Sequence, residues 1–218
     1  MGTFLDLSHP LFDGMAAYPG LGNVKLEAIV DHDGSRDRYQ GKAEFFLGRI
    51  EGATNAGTYL DSPFHRWRDE DDLASLELSR IAGLPGVVAR AKNATGAVEI
   101  DLPPERLRGR AVLVHTGWSE RWGTNAYWED DPYLSTAAID SLVTGRAALV
   151  GVDFGNVDDT TDPARPAHTR LLEAGVLIVE SLTDVGALPD EGFRFTAVPP
   201  RVERGAAFPV RAFAELGA

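Results

Sequence analysis

Three short apolar runs in the second half of the chain constrain its fold most: Ala111–His115, Ala147–Val152 and Val176–Val179. Each is rich in β-branched residues and too short for an ordinary helix. None alternates as a strand with one wet face would, so each reads as a strand buried on both faces. Between the first two, Ser135 and Thr136 open a helix through Ala137, Ala138, Ile139, Leu142 and Val143, with Ser135 as N-cap and Gly145 just past the end. Between the last two, Arg165-Pro166-Ala167-His168 leads into a short helix over Thr169–Ala174, closed by Gly175. Strand, helix, strand, helix, strand predicts a parallel ladder with its functional groups at the carboxyl ends of the strands. Asp153 and Glu180 stand at two such ends, and His168 lies at a helix start between them. One terminal carboxylate would be a cap or a solvated end; two with a histidine beside them favour a site.

The opening fifty residues differ. Phe4–Leu7, Val24–Val30 and Ala43–Ile50 read as strands, the second half-buried by its alternation, with turns at Ser8-His9-Pro10 and Tyr18-Pro19-Gly20. Asp31–Ser35 reads as loop, so this part is antiparallel β rather than βαβ. Further on, a short helix or turn is expected before Ile81, a strand over Gly86–Ala91, and a helix start at Pro103-Pro104. His115 ends an apolar run and reads as a packed core residue. Trp118, Trp122, Tyr127 and Trp128 crowd one polar stretch, which suits a cleft wall, a subunit contact or a loop pinned by aromatic burial.

The chemistry concentrates in Thr54-Asn55-Ala56-Gly57-Thr58-Tyr59-Leu60-Asp61-Ser62-Pro63-Phe64-His65. The spacing of two puts Asn55, Tyr59 and Asp61 on one face of an extended segment. Pro63 ends that segment, and His65 folds back toward the same face. The stretch reads either as a site or as a polar strand end with a solvated histidine.

Composition narrows the function. The chain has 218 residues, no cysteine and 44% hydrophobic residues, which suits a single domain over 1–218 with a full core. Without cysteine there is no disulfide, thiolate metal site or thiol nucleophile. With 33 acidic against 21 basic residues and a formal charge of −12, nucleic acid is a poor partner. No apolar run approaches the ~20 residues of a membrane span, and no leader pattern is seen at the start. A cytoplasmic enzyme acting on a small molecule is expected.

The order of motifs resembles the cyclase family that contains bacterial kynurenine formamidase and isatin hydrolase. Its fingerprint is His-x-Gly-Thr-His-x-Asp-x-Pro-x-His, and the aligned residues here are Asn55, Gly57, Thr58, Tyr59, Asp61, Pro63 and His65. The likeness continues through Asp6-Leu7-Ser8, Tyr18-Pro19-Gly20, Thr116-Gly117-Trp118, Gly151-Val152-Asp153, His168 with Leu171-Leu172, and Glu180-Ser181-Leu182. It implies an α/β swivelling β/β/α fold with a mixed sheet, a homodimer or homotetramer, and hydrolysis of an aryl-formamide or cyclic amide with Zn or Mn. It further implies that His65 shuttles protons, that Asp61, His168 and Glu180 serve a metal, and that Tyr18 lines the substrate pocket.

Two fingerprint histidines are replaced, by Asn55 and Tyr59. An amide oxygen is a weak zinc donor, and a phenol must lose a proton from a pKa near ~10. One metal held by Asp61, His168 and Glu180 is expected, or none. With a metal, water of lowered pKa attacks a carbonyl. Without one, His65 oriented by Asp61 or Glu180 activates water or a substrate hydroxyl, and Tyr59 or Asn55 donates to the oxyanion. A metal-free cyclase or lyase of natural-product metabolism and a non-catalytic small-molecule binder are the alternatives.

Overall fold

The computed structural model describes residues 2–217; Met1 and Ala218 lie outside the described residues. Its strands are β1 (Thr3–Asp6), β2 (Lys25–Val30), β3 (Leu47–Glu51), β4 (Tyr59–Asp61), β5 (Leu84–Arg90), β6 (Ala97–Val98) and β7 (Ala111–His115). They continue with β8 (Tyr133–Leu134), β9 (Leu149–Val152), β10 (Leu177–Glu180), β11 (Glu191–Thr196), β12 (Ala207–Pro209) and β13 (Phe213–Leu216). The helices are α1 (His32–Arg36), α2 (Thr136–Gly145) and α3 (Pro166–Glu173). The main sheet has nine strands in the order β1-β13-β11-β5-β7-β9-β10-β4-β12. Its centre, β5-β7-β9-β10, is parallel, and the flanking pairs are antiparallel. The fold is α/β with a mixed sheet.

The three apolar runs become β7, β9 and β10 as expected, and almost every side chain in them is buried. One face of the sheet packs under α2 and α3 through Val112, Val150, Ile139 and Leu171. The other buries Leu113, Leu149, Val179 and Phe195 in a second cluster. The Ser135 hydroxyl caps α2 by accepting from the Ala138 N–H. Gly145 is the last helical residue rather than the stop; Arg146 takes the left-handed turn with φ +54°. α3 starts at Pro166, three residues earlier than expected, because proline suits the first turn.

Two expectations for the first fifty residues are corrected. Asp31–Ser35 is not loop: Asp31 caps the one-turn helix α1 by accepting from the Gly34 N–H at 2.7 Å. The strand over Val24–Val30 is not half-buried. β2 pairs only with β3, and nearly every residue of both strands is exposed.

β4 is the element that positions the chemistry. It lies between β10 and β12, antiparallel to both, with Tyr59 opposite Glu180 and Asp61 opposite Ile178. The strand is shorter than its period-two pattern because Gly57 takes φ +68°, where a Cβ would come within 2.7 Å of Leu11. Asn55 therefore precedes the strand and does not share its face; Tyr59 and Asp61 do. Pro63 ends the strand and opens a 3-10 turn over Pro63–His65, which swings His65 back over Asp61.

Candidate active site

A cavity of about 240 Å3 is lined by Tyr18, Asn55, Tyr59, Asp61, His65, His168 and Glu180, every candidate residue named from the sequence except Asp153. β4 brings Tyr59 and Asp61, the turn after it His65, α3 His168 and the end of β10 Glu180.

Asp61 is buried, and its Oδ2 has no hydrogen-bond partner among the described residues. Burial, then the Glu180 carboxylate, hold its carboxyl well above the usual range, while His168 pulls the other way. His65 Nδ1 lies 3.8 Å from Asp61 Oδ1, and His168 Nε2 lies 3.9 Å from Asp61 Oδ2. Burial, His168 and Arg66 lower the His65 pKa to about 4, so its imidazole is neutral at pH 7.

Glu180 is fixed from two sides. Its Oε2 accepts from the Tyr59 hydroxyl and its Oε1 from the Val157 N–H at 2.7 Å. Burial raises its pKa, against the pull of His168 and these two bonds. Tyr59 keeps its proton: burial first, then the Glu180 and Asp61 carboxylates, push the phenol well above its ordinary value. That hydroxyl is committed to Glu180, which leaves Asn55 as the polar neighbour facing the cavity from the fingerprint stretch.

Asp158 was not legible from the sequence. Its carboxylate accepts from the Ala167 N–H at 2.5 Å, the His168 N–H at 3.2 Å and the His168 ring Nδ1 at 2.6 Å. It closes the start of α3 and turns His168 Nε2 toward Asp61 and Glu180. Burial works against its charge, but these bonds outweigh it and hold its carboxyl below the usual range. Burial alone would lower the His168 pKa; Asp158, Glu180 and Asp61 together raise it instead. Asp153 belongs elsewhere: its oxygens accept from Thr116 and Gly117 and fix the turn after β7. The aromatic run forms a wall behind Tyr18, whose ring meets Trp128 edge-on at 5.5 Å. Tyr127 is buried, with its hydroxyl on Ser181. His115 sits against Gly186 and Arg90, apart from the cavity lining.

The donor set fits a divalent ion. One ligand atom each from Asp61, His65 and His168 lies within 4.8 Å of the others. Two donors on a tetrahedral zinc stand about 3.3 Å apart; His168 Nε2 stands 3.9 Å from Asp61 Oδ2, and His65 Nδ1 stands 3.8 Å from the other oxygen, Oδ1. The orphaned Asp61 oxygen is the acceptor such an ion would satisfy. Glu180 Oε1 is 3.7 Å from His168 Nε2, at the edge of this trio, with both oxygens already accepting.

Comparisons with known proteins agree with the fold and the family likeness. The chain is 27% identical over 217 residues to kynurenine formamidase of Geobacillus thermodenitrificans, covering 97% of each. It is 26% identical to kynurenine formamidase of Salinibacter ruber, covering 96% of each. Isatin hydrolase A from Ralstonia solanacearum superposes with a TM-score of 0.81 at 25% identity, over 99% of this chain and 92% of that one. A family model described as "Putative cyclase" matches residues 5–159, well over half of the sequence, and the chain belongs to that cyclase family.

Proposed function

We propose that the protein hydrolyses a small aryl-formamide or cyclic amide, with one Zn or Mn ion held by Asp61 and His168 beside Glu180 and with His65 left free as the acid/base. The observation that carries this reading is the buried Asp61 carboxylate, whose Oδ2 has no hydrogen-bond partner among the described residues and faces His168 Nε2, while its Oδ1 faces His65 Nδ1. A bound ion would supply Lewis-acid polarisation of a carbonyl and acidified water.

The chain's own residues do the rest. Asp61 and His168 are buried, and His168 is locked by Asp158, so both hold their places. The His65 side chain is 36% exposed and makes no hydrogen bond among the described residues. It is the member of the trio free to take a proton from water and deliver it to the leaving nitrogen. Asn55 donates from its amide to the carbonyl oxygen, and Tyr18 gives an aromatic wall for an aryl substrate. Tyr59 anchors Glu180, whose charge keeps His168 in register beside Asp61.

Metal analysis and turnover test this together. About one equivalent of ion is expected, lost in Asp61→Ala and His168→Ala. His65→Ala is expected to keep the ion while losing about 10²–10⁴-fold in rate, the usual worth of a positioned acid/base. No hydrolysis of formanilides or lactams by the ion-loaded protein overturns the proposal.

We also propose a homodimer that closes over the β2–β3 hairpin. A two-stranded sheet alone is marginal in water. Leu26, Ile29, Tyr39, Phe46, Leu47 and Ile50 are 37–70% exposed on this unit. They leave on the order of 500–600 Å2 open per copy, so two copies reach the lower end of a specific interface. The exposed hairpin carries self-balanced pairs, Lys25–Glu51 and Arg49–Glu27, which suits a like surface. A dimer in sedimentation that dissociates in Phe46→Asp/Ile50→Asp is expected; a monomer in the parent chain, or a dimer untouched by the substitutions, overturns it.

A further inference from the structure

Floor and mouth of the cavity carry opposite charge. The floor holds Asp61 and Glu180, while two guanidinium groups, Arg66 and Arg165, line the same space. Arg66 follows His65 directly, and Arg165 immediately precedes α3. Among the described residues neither makes an ion pair with a carboxylate. Arg66 Nη2 reaches only neutral oxygens: Thr169 Oγ1 at 3.1 Å, the Ala164 carbonyl at 3.4 Å and the Arg165 carbonyl at 3.5 Å. Those bonds fasten one edge of its fork and leave the rest open. The charge of Arg165 is felt by Asp159, but beyond ion-pair distance. Arg80, Arg90 and Arg170, by contrast, each hold an aspartate.

The backbone at Arg165 adds a second sign. Its φ of +47° and ψ of +60° are left-handed, a conformation that costs a non-glycine residue about 1–2 kcal/mol. Glycine or asparagine would ease that turn, yet a long cation occupies it beside the cavity. The start of α3 offers no anion site of its own, because Asp158 already takes the Ala167 and His168 N–H groups. A chain of formal charge −12 repels anions at long range. A pair of open guanidiniums at the mouth is the local feature that reverses this.

We propose that Arg66 and Arg165 form an anion subsite, and that the substrate is an amide bearing a carboxylate. The carboxylate rests on the guanidiniums while the amide carbonyl faces Asp61, His65 and His168. This deepens the hydrolase reading above and rests on it for the reaction, though not for the binding. Arginine suits the task because its planar fork matches a carboxylate. The volume of about 240 Å3 lies below the ~300–1,000 Å3 of drug-sized sites, which keeps the substrate small.

The test uses matched pairs on the ion-loaded protein: ortho-formamidobenzoate against formanilide for turnover, and benzoate against benzamide for binding by calorimetry. The charged member of each pair is expected to be preferred. The charged-to-neutral ratio of kcat/KM is expected to fall about tenfold in Arg66→Gln or Arg165→Gln, the worth of one charge-assisted bond. Most of that fall should lie in KM. Arg66→Lys and Arg165→Lys should retain part of the ratio, and benzoate affinity should follow the same order. If the guanidiniums only offset Asp61 and Glu180, or a variant is damaged in folding, both members of each pair change equally. A ratio that stays put in the glutamine and lysine variants alike overturns the proposal. The two readings fail separately. Formanilide turned over with no charge preference removes the subsite and keeps the hydrolase. Arginine-dependent benzoate binding with no amide turned over does the reverse.

Discussion

The Tyr59 hydroxyl donates to Glu180 Oε2 across the β4–β10 ladder, where the two residues are register partners. At the fingerprint position occupied by Tyr59, a phenol binds a carboxylate.

Tyr59→Phe should therefore act on stability. It strips one donor from a fully buried carboxylate while the Val157 N–H stays on the other oxygen. Such a loss costs about 1–3 kcal/mol. A denaturation midpoint lowered by that amount, with the ion still bound, is the expected result.

Asp158→Asn separates two jobs. Asparagine still caps a helix start, so α3 should hold. The charge that orients His168 Nδ1 is lost, and changes of this kind weaken metal binding about 10–100-fold. Asp158→Ala should add a stability loss of about 0.5–2 kcal/mol. Metal titration and thermal melts on the two variants read these apart.

His9 gives the fold an acid sensitivity away from the cavity. Its ring stacks on Trp122 at 4.1 Å, and its Nε2 is buried without a hydrogen-bond partner among the described residues. Burial lowers its pKa from 6.5 to about 4. Below pH 6.5 the unfolded chain takes up a proton that the folded one refuses, so stability falls as pH drops from about 6.5 to about 4. With partial exposure discounted, the loss is about 1–2 kcal/mol. His9→Phe keeps the stacking and should lose less over that window, as urea titrations at pH 7 and pH 4 would show.

Gly57→Ala is expected to cost about 2 kcal/mol, from a left-handed φ and a collision with Leu11. In a chain of this size that lowers Tm by roughly 4–8 °C. Leu11→Ala in the same chain should recover part of it by removing the obstacle, leaving the backbone share.

Legibility followed the range of each physical signal. Continuous apolar runs gave β7, β9 and β10, because burial on both faces leaves a local mark. The alternation of Val24–Val30 marked a strand correctly but not its burial, since period two says which side chains share a face and not what covers it. Asn55 was placed with Tyr59 and Asp61 by the same period; Gly57 breaks the count. Asp153 and Glu180 look alike as strand-end carboxylates, yet Asp153 has Thr116 and Gly117 beside it and Glu180 has the cavity. Asp158 left no trace, because it orients a histidine ten positions further on across a loop, and capping patterns reach only two or three.

The place of β4 in the sheet also sets a timetable. Its neighbours, β10 and β12, come from the last fifth of the chain, and the Tyr59–Glu180 bond joins positions 121 apart. Contacts of such separation are slow to close. During synthesis Asp61 and His65 emerge early, but nothing holds them in register until β10 and β12 have followed. The cavity lining is thus a late product of folding, and a nascent chain carries its parts for most of its length before it carries the cavity.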